Sequence, residues 1–116
     1  MKQKSKKQVL RKKKEFRFHK IEKTNDKGTK TKKWHPAYVF LEKGNIYIYV
    51  SLTHSNNIDN LILIKLRKNP DPNDERDSYW VAEIKEDTKD RFGKREHGWD
   101  IDDLDDKDIR NEYEKR

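Results

Sequence analysis

Two short stretches of this chain hold residue types that could move protons around a phosphate: His35, and the run Thr53-His54-Ser55. An imidazole titrates near neutrality, so His35 can take a proton, give one, or stabilise negative charge as a cation. The Thr53 hydroxyl can donate to a phosphate oxygen, and His54 and Ser55 lie in the same segment to assist. Such groups suit proton transfer at a phosphate ester, with stabilisation of the extra charge on phosphorus. The plainer roles are an exposed histidine at position 35 and a loop-capping threonine at position 53.

A second group of residues could hold the substrate. Arg17, Lys30, Lys32 and Lys33 are placed to contact phosphates, which would make binding salt-dependent. Trp34 adjoins both the basic segment and His35 and could stack on an unpaired base. For Tyr38, Tyr47 and Tyr49 the pattern favours packing in the core. Other chemistries are poorly served. The chain has no cysteine, which removes thiolate catalysis and cysteine zinc sites. His19, His35, His54 and His97 lack metal-ligand spacing, and there is no phosphate-cradling glycine loop. Neither a metal nor a cofactor is expected.

These groups must be positioned by a small core. Of 116 residues 44% are charged and only 30% apolar, which suits one domain. The apolar material is concentrated between Trp34 and Ile84. Charge is divided just as unevenly: residues 1–33 hold 15 Lys/Arg against three acids, and the remainder 14 against 19. A basic arm over residues 1–14, joined to a mildly acidic domain over 15–116, fits a protein that meets a polyanion through one end. A merely solubilising tail is the alternative. No apolar run reaches the length of a membrane span or a signal-peptide core, which predicts a cytoplasmic protein with no membrane partner.

Alternation of Phe16 and Phe18 with Arg17 and His19 predicts a first strand over Glu15 to Glu22, followed by a polar loop over Thr24 to Lys33. Trp34 to Leu41 and Ile46 to Leu52 read as a hairpin around Glu42-Lys43-Gly44-Asn45. Leu61 to Leu66 and Tyr79 to Lys85 predict two more strands, with a Pro/Asp/Asn loop between them. Glu86 to Gly98 reads as irregular, with Trp99 and Ile101 re-entering the core. Asp105 is the expected N-cap of a closing helix that buries Ile109 and Tyr113. The sum is a mainly β fold with a C-terminal α-helix, in the form of a small SH3-like barrel.

The motif order resembles the MazF/PemK family of endoribonuclease toxins over roughly residues 15–114. Trp34-His35-Pro36-Ala37-Tyr38-Val39-Phe40 is similar to their Arg-Pro-apolar strand, with His35 in place of the arginine. Val50 to Ser55 looks like their strand end carrying a threonine or serine. Glu75-Arg76-Asp77-Ser78, Lys89 to Lys94 and Leu104 to Ile109 resemble the segment before the fifth strand, the basic stretch after it and the helix start. Tyr38 through Ser55 is also similar to the ToxN-like type III branch, which lacks the arginine and pairs with an RNA antitoxin. The resemblance implies a MazF/PemK/CcdB-type barrel, a homodimer with single-stranded RNA in its groove, and a cognate antitoxin of protein or RNA. It implies metal-independent cleavage by the RNA's own 2′-hydroxyl, at His35 and Thr53 here, with the loop from Lys23 to Lys33 gating the site. Alternatives from other classes are a non-catalytic SH3-like nucleic-acid-binding module and a phage or plasmid regulator that binds another protein.

Overall fold

The computed structural model describes residues 9–116; most of the expected basic arm, residues 1–8, lies outside the described residues. Seven strands run in the order β1 (Leu10–Thr24), β2 (Lys30–Lys43), β3 (Ile46–Thr53), β4 (Leu63–Lys65), β5 (Tyr79–Val81), β6 (Lys85–Thr88) and β7 (Phe92–Arg95). Helix α1 (Asp103–Glu114) closes the chain, so the fold is mainly β with one C-terminal helix, as the sequence suggests. The sheet path runs β4-β5-β3-β2-β1-β7, with β6 beside β3. Its two end strands do not pair with each other, so the expected barrel is curled but open.

The centre is the β1-β2-β3 meander, and its alternating residues explain why both faces are covered. Phe16, Tyr38, Phe40, Ile48, Val50 and Leu52 point to one side, where Trp80 of β5, Ile109 of α1, Leu66 just after β4 and Ile101 just before α1 pack on them. Ala37, Val39, Tyr47 and Tyr49 point to the other side and meet Phe92 of β7. Each large apolar side chain so buried contributes roughly 1.5–3 kcal/mol. The β2–β3 turn closes in two residues, with Lys43 opposite Ile46 and Gly44 at φ +56°, a sign that glycine takes cheaply.

Several expected boundaries move. β1 begins at Leu10, so Leu10 to Lys14 are strand, with Leu10 to Lys12 paired to β2, and not free arm. The expected loop from Thr24 to Lys33 shrinks to a turn over residues 25–29, because Asn25 Oδ1 accepts from the amides of Lys27 and Thr29, both at 2.9 Å. The apolar run from Leu61 to Leu66 yields only Leu63–Lys65 as strand, and Ile62 is 71% exposed. β5 ends at Val81 rather than Lys85. The stretch expected to be irregular, Glu86 to Gly98, instead supplies β6, a 3₁₀ turn (Lys89–Arg91) and β7. β6 pairs with β3 and β7 with β1, so this segment crosses β2 as a strap. Polar contacts fix it where apolar side chains are scarce: Asp87 meets His19 at 2.8 Å and Lys89 meets Glu42, while Arg91 braces Asp87 within the strap at 3.3 Å. Arg17 also donates to the Gly93 carbonyl at 2.8 Å.

The helix begins earlier than expected. Asp102 is the N-cap, accepting from the amides of Leu104 at 2.8 Å and Asp105 at 3.2 Å. Asp105 is buried and serves Arg67 instead, through that residue's amide at 2.8 Å and its guanidinium at 2.6 Å. Ile109 is fully buried and Tyr113 packs against the same core, as expected.

Arg110 solves a problem created by two bulges. The β1–β2 register shifts between Lys12 and Glu15, and the β2–β3 register between Val39 and Leu41, which strands carbonyls outside the ladders. Arg110 donates to the Phe40 carbonyl at 2.8 Å and the Lys13 carbonyl at 2.7 Å. Asp106 holds the guanidinium at 2.9 Å and accepts the Tyr38 hydroxyl at 2.6 Å. Burial, together with the Asp106 carboxylate, pushes the Tyr38 phenol far above its ordinary range. Arg110→Ala is expected to cost about 1–3 kcal/mol by leaving these carbonyls unpaired. Arg110→Lys should recover little, because one ammonium cannot reproduce the planar fork. Urea midpoints check both; an unchanged midpoint for Arg110→Ala would mean that water replaces the guanidinium at no cost.

Candidate nucleic-acid interface

Beyond the covered part of the sheet, β1 and β2 continue as a two-stranded ribbon. β2 pairs with β3 only as far as Ala37↔Ser51, and β7 pairs with β1 at Arg17 and His19. The outer pairs, from Lys20↔Trp34 to Thr24↔Lys30, therefore have no strand on either side among the described residues. Residues 20–34 carry six lysines against Glu22 and Asp26. Among the described residues the ribbon is a basic projection, and it contains Lys30, Lys32, Lys33 and Trp34.

The register assigns these residues to faces, because residues directly opposite each other point the same way. Lys20, Trp34, Lys32 and Lys30 share the face that leads back to Phe18 and Trp99. Lys23, Lys33, His35 and His19 share the opposite face, which leads to Tyr49 and Phe92. Trp34 is 51% exposed, and its ring edge lies over Gly93, where a β-carbon would stand 3.7 Å from Cζ3. The side chains of Lys30, Lys32, Lys33 and His35 are exposed. Arg17 differs from the other expected phosphate contacts. It is half-buried at Glu15 and Gly93 and lies over the Tyr47 ring, so it is committed to holding the strap.

The four candidate catalytic residues are treated unequally. His35 lies at the base of the ribbon, directly across from His19. Loss of hydration against the sheet, and then the charges of Lys33, Lys23 and His19, lower its pKa from the ordinary imidazole value. Among the described residues its side chain forms no hydrogen bond or ion pair. Thr53 accepts from the Ser55 amide at 3.1 Å, which is the loop-capping role. Ser55 turns its hydroxyl onto the Asn57 carbonyl at 3.1 Å. His54 is bound through both ring nitrogens, to the Asp77 carbonyl at 3.0 Å and to Asp74 at 3.2 Å. Arg76, Nη2 at 2.8 Å, holds Asp74 ionised far below the usual carboxylate range. Thr53 and His54 do lie at the same end of the sheet as His35: they line a small cavity with Pro36, Asn69, Ser78 and Trp99. They come close to His35 without joining it around one open site.

Sequence reading missed His19 as part of this neighbourhood. It is buried, stacked between Tyr49 and Phe92, with Nε2 at 2.8 Å from Asp87 and Nδ1 at 3.4 Å from the Tyr49 hydroxyl. Burial, and then the Asp87 charge, push the Tyr49 phenol up to about 12. The available signal was its register opposite His35, which only the strand pairing reveals. Burial alone would raise the Asp87 carboxyl, but hydrogen bonds from His19, the Thr88 amide and Arg91 hold it below its ordinary value. A depressed carboxylate pKa stabilises the fold above the unfolded value, and that stability is lost as pH falls through the folded value. The strap is therefore expected to loosen in acid below about pH 4, read as early amide exchange in residues 85–95. Asp87→Asn should loosen it at neutral pH; equal protection of wild type and variant would contradict this anchoring role.

Neither a family model, nor a curated protein, nor a solved structure matches this chain.

Proposed function

We propose that this chain is a metal-independent endoribonuclease of the toxin type, which grips single-stranded RNA with the basic ribbon and cuts it at His35. The observation that supports this best is the placement of His35. It is an imidazole with lowered pKa and no intramolecular partner among the described residues, exposed on one face with Lys23 and Lys33. In this reading neutral His35 accepts the 2′-hydroxyl proton as the 2′-oxygen attacks phosphorus. The P–O5′ bond breaks, the 2′,3′-cyclic phosphate forms, and the 5′-oxygen takes a proton from solvent. Lys33 and Lys23 stabilise charge on the phosphoryl oxygens. A homodimer and a cognate antitoxin, of protein or RNA, belong to this reading through the family resemblance alone.

The pH dependence tests the role of His35. Its neutral form is the active one, so cleavage in EDTA should rise with pH through a midpoint below the ordinary histidine value and level off by neutrality. Lys33→Ala removes one repelling charge and should move that midpoint up. A rate that falls as pH rises through this range would mean that the cation acts, not the base. The second reading is a non-catalytic nucleic-acid-binding module. It is favoured by one observation: Thr53 and Ser55 bond within their own loop and His54 bonds to Asp77 and Asp74, so His35 has no second acid–base partner there. Salt-dependent binding of RNA that stays intact would select it.

A further inference from the structure

The lysines of the ribbon are divided between its faces, and so are the two residues best suited to a nucleotide. Trp34 and His35 are adjacent in β2, so they point to opposite sides: Trp34 with Lys30 and Lys32, His35 with Lys33 and Lys23. No ligand lying flat on one face reaches both sets. The two faces meet at the ribbon's two free edges, and the edge of β2 is the one that carries Lys30, Lys32, Lys33, Trp34 and His35. Residues 30–36 there have no neighbouring strand, since the pairing to β3 stops at Ala37↔Ser51. An antiparallel edge strand presents free N–H and C=O groups along that side. The ribbon itself gains little from the body of the protein, and a lone two-stranded hairpin is marginal in water.

We propose that a single RNA strand crosses this free edge of β2, with one base stacked on Trp34 and the neighbouring phosphate on the opposite face beside His35 and Lys33. This rests on the RNA-cleaving reading and specifies its substrate as an unpaired strand bent sharply across one edge. Lys30 and Lys32 neutralise phosphates on the Trp34 side, and Lys23 and Lys33 do so on the other side. The exposed β2 backbone can meet base edges between them. A duplex is excluded by its own stacking, because its bases cannot be parted around one strand of a sheet. The bend also aids the reaction, since a 2′-oxygen must come in line with the leaving 5′-oxygen and a stacked helical strand holds it off that line.

The test is binding of a fully 2′-O-methylated, unstructured oligonucleotide, which lacks the nucleophile and stays intact. The full-length protein would be titrated at several salt concentrations, with the double variants Lys30→Gln/Lys32→Gln and Lys23→Gln/Lys33→Gln beside it. Each phosphate neutralised on a single strand contributes about 0.7 to the slope of log K against log salt, so each double variant should flatten the slope by roughly 1.4. Binding should quench tryptophan fluorescence, with the quench lost in Trp34→Phe, and the complementary duplex should bind more weakly. A slope changed by one pair alone would place the RNA on one face and overturn the edge path, while leaving RNA binding intact. A slope changed by neither pair, or equal affinity for the duplex, would also overturn it. No RNA binding by folded wild-type protein would instead remove the functional reading on which it rests.

Discussion

His35→Ala is expected to slow RNA cleavage by about 10²–10⁴-fold, the usual contribution of one positioned acid–base group. Affinity for the uncleavable oligonucleotide should change little, because the ribbon lysines carry the grip. The side chain is exposed and makes no polar contact among the described residues, so the substitution should leave the fold intact. His35→Arg sharpens the point. It supplies a permanent cation that cannot serve as a base at neutral pH. If proton removal is the contribution of His35, the arginine variant stays slow; if charge is the contribution, it recovers and loses its dependence on pH near neutrality. Full activity in His35→Ala would place the chemistry elsewhere.

The largest stability effect is expected at Trp80. Its side chain is 1% exposed, and β5 sets it opposite Leu52 on one side and Ile64 on the other, at the centre of the larger core. Trp80→Ala should cost about 3–5 kcal/mol, which combines lost burial with a residual cavity. Native domains hold only about 5–15 kcal/mol in total, so the variant will be marginal at room temperature. Trp80→Phe should cost much less. The indole Nε1 is buried with no hydrogen-bond partner among the described residues. Removing that donor relieves part of a desolvation penalty of about 1–3 kcal/mol, which offsets some of the lost ring area. Urea unfolding of the pair decides it. Equal losses in both variants would mean that the phenyl ring recovers none of the lost packing and that loss of the indole N–H brings no relief.

What the sequence disclosed follows the kind of force involved. Phe16, Tyr38, Phe40, Ile48 and Val50 announce the central meander because burial on alternate positions is a local, periodic signal. Gly44 announces the hairpin because a tight turn demands its backbone freedom. The strap over residues 85–95 is invisible for the opposite reason. Its strands are held by ladders to β3 and β1 and by ion pairs to Glu42 and His19, and none of these leaves a pattern in the segment itself. The helix start illustrates competition. Asp102, Asp103, Asp105 and Asp106 all suit a cap; the tertiary demands of Arg67 for Asp105 and of Arg110 for Asp106 occupy two of them, and Asp102 takes the role.

The candidate site follows the same logic. The basic residues and Trp34 were legible as a group, because composition is local. Their division between two faces was not, since it depends on Lys20↔Trp34 and His19↔His35 being partners across β1 and β2. Thr53, His54 and Ser55 have the right chemistry in sequence, but the two hydroxyls are recruited to the turn that follows the strand, and the imidazole to the segment of Asp74 and Asp77.

The most direct measurement is incubation of a long, weakly structured RNA with the purified full-length chain in EDTA, followed by mapping of the product ends. His35→Ala would be run in parallel. The account predicts cleavage that EDTA does not prevent, fragments ending in 2′,3′-cyclic phosphate with free 5′-hydroxyls, and loss of both in the variant. RNA that stays intact in the presence of folded wild-type protein would contradict the endoribonuclease reading, and cleavage that persists unchanged in His35→Ala would contradict the role given to that residue.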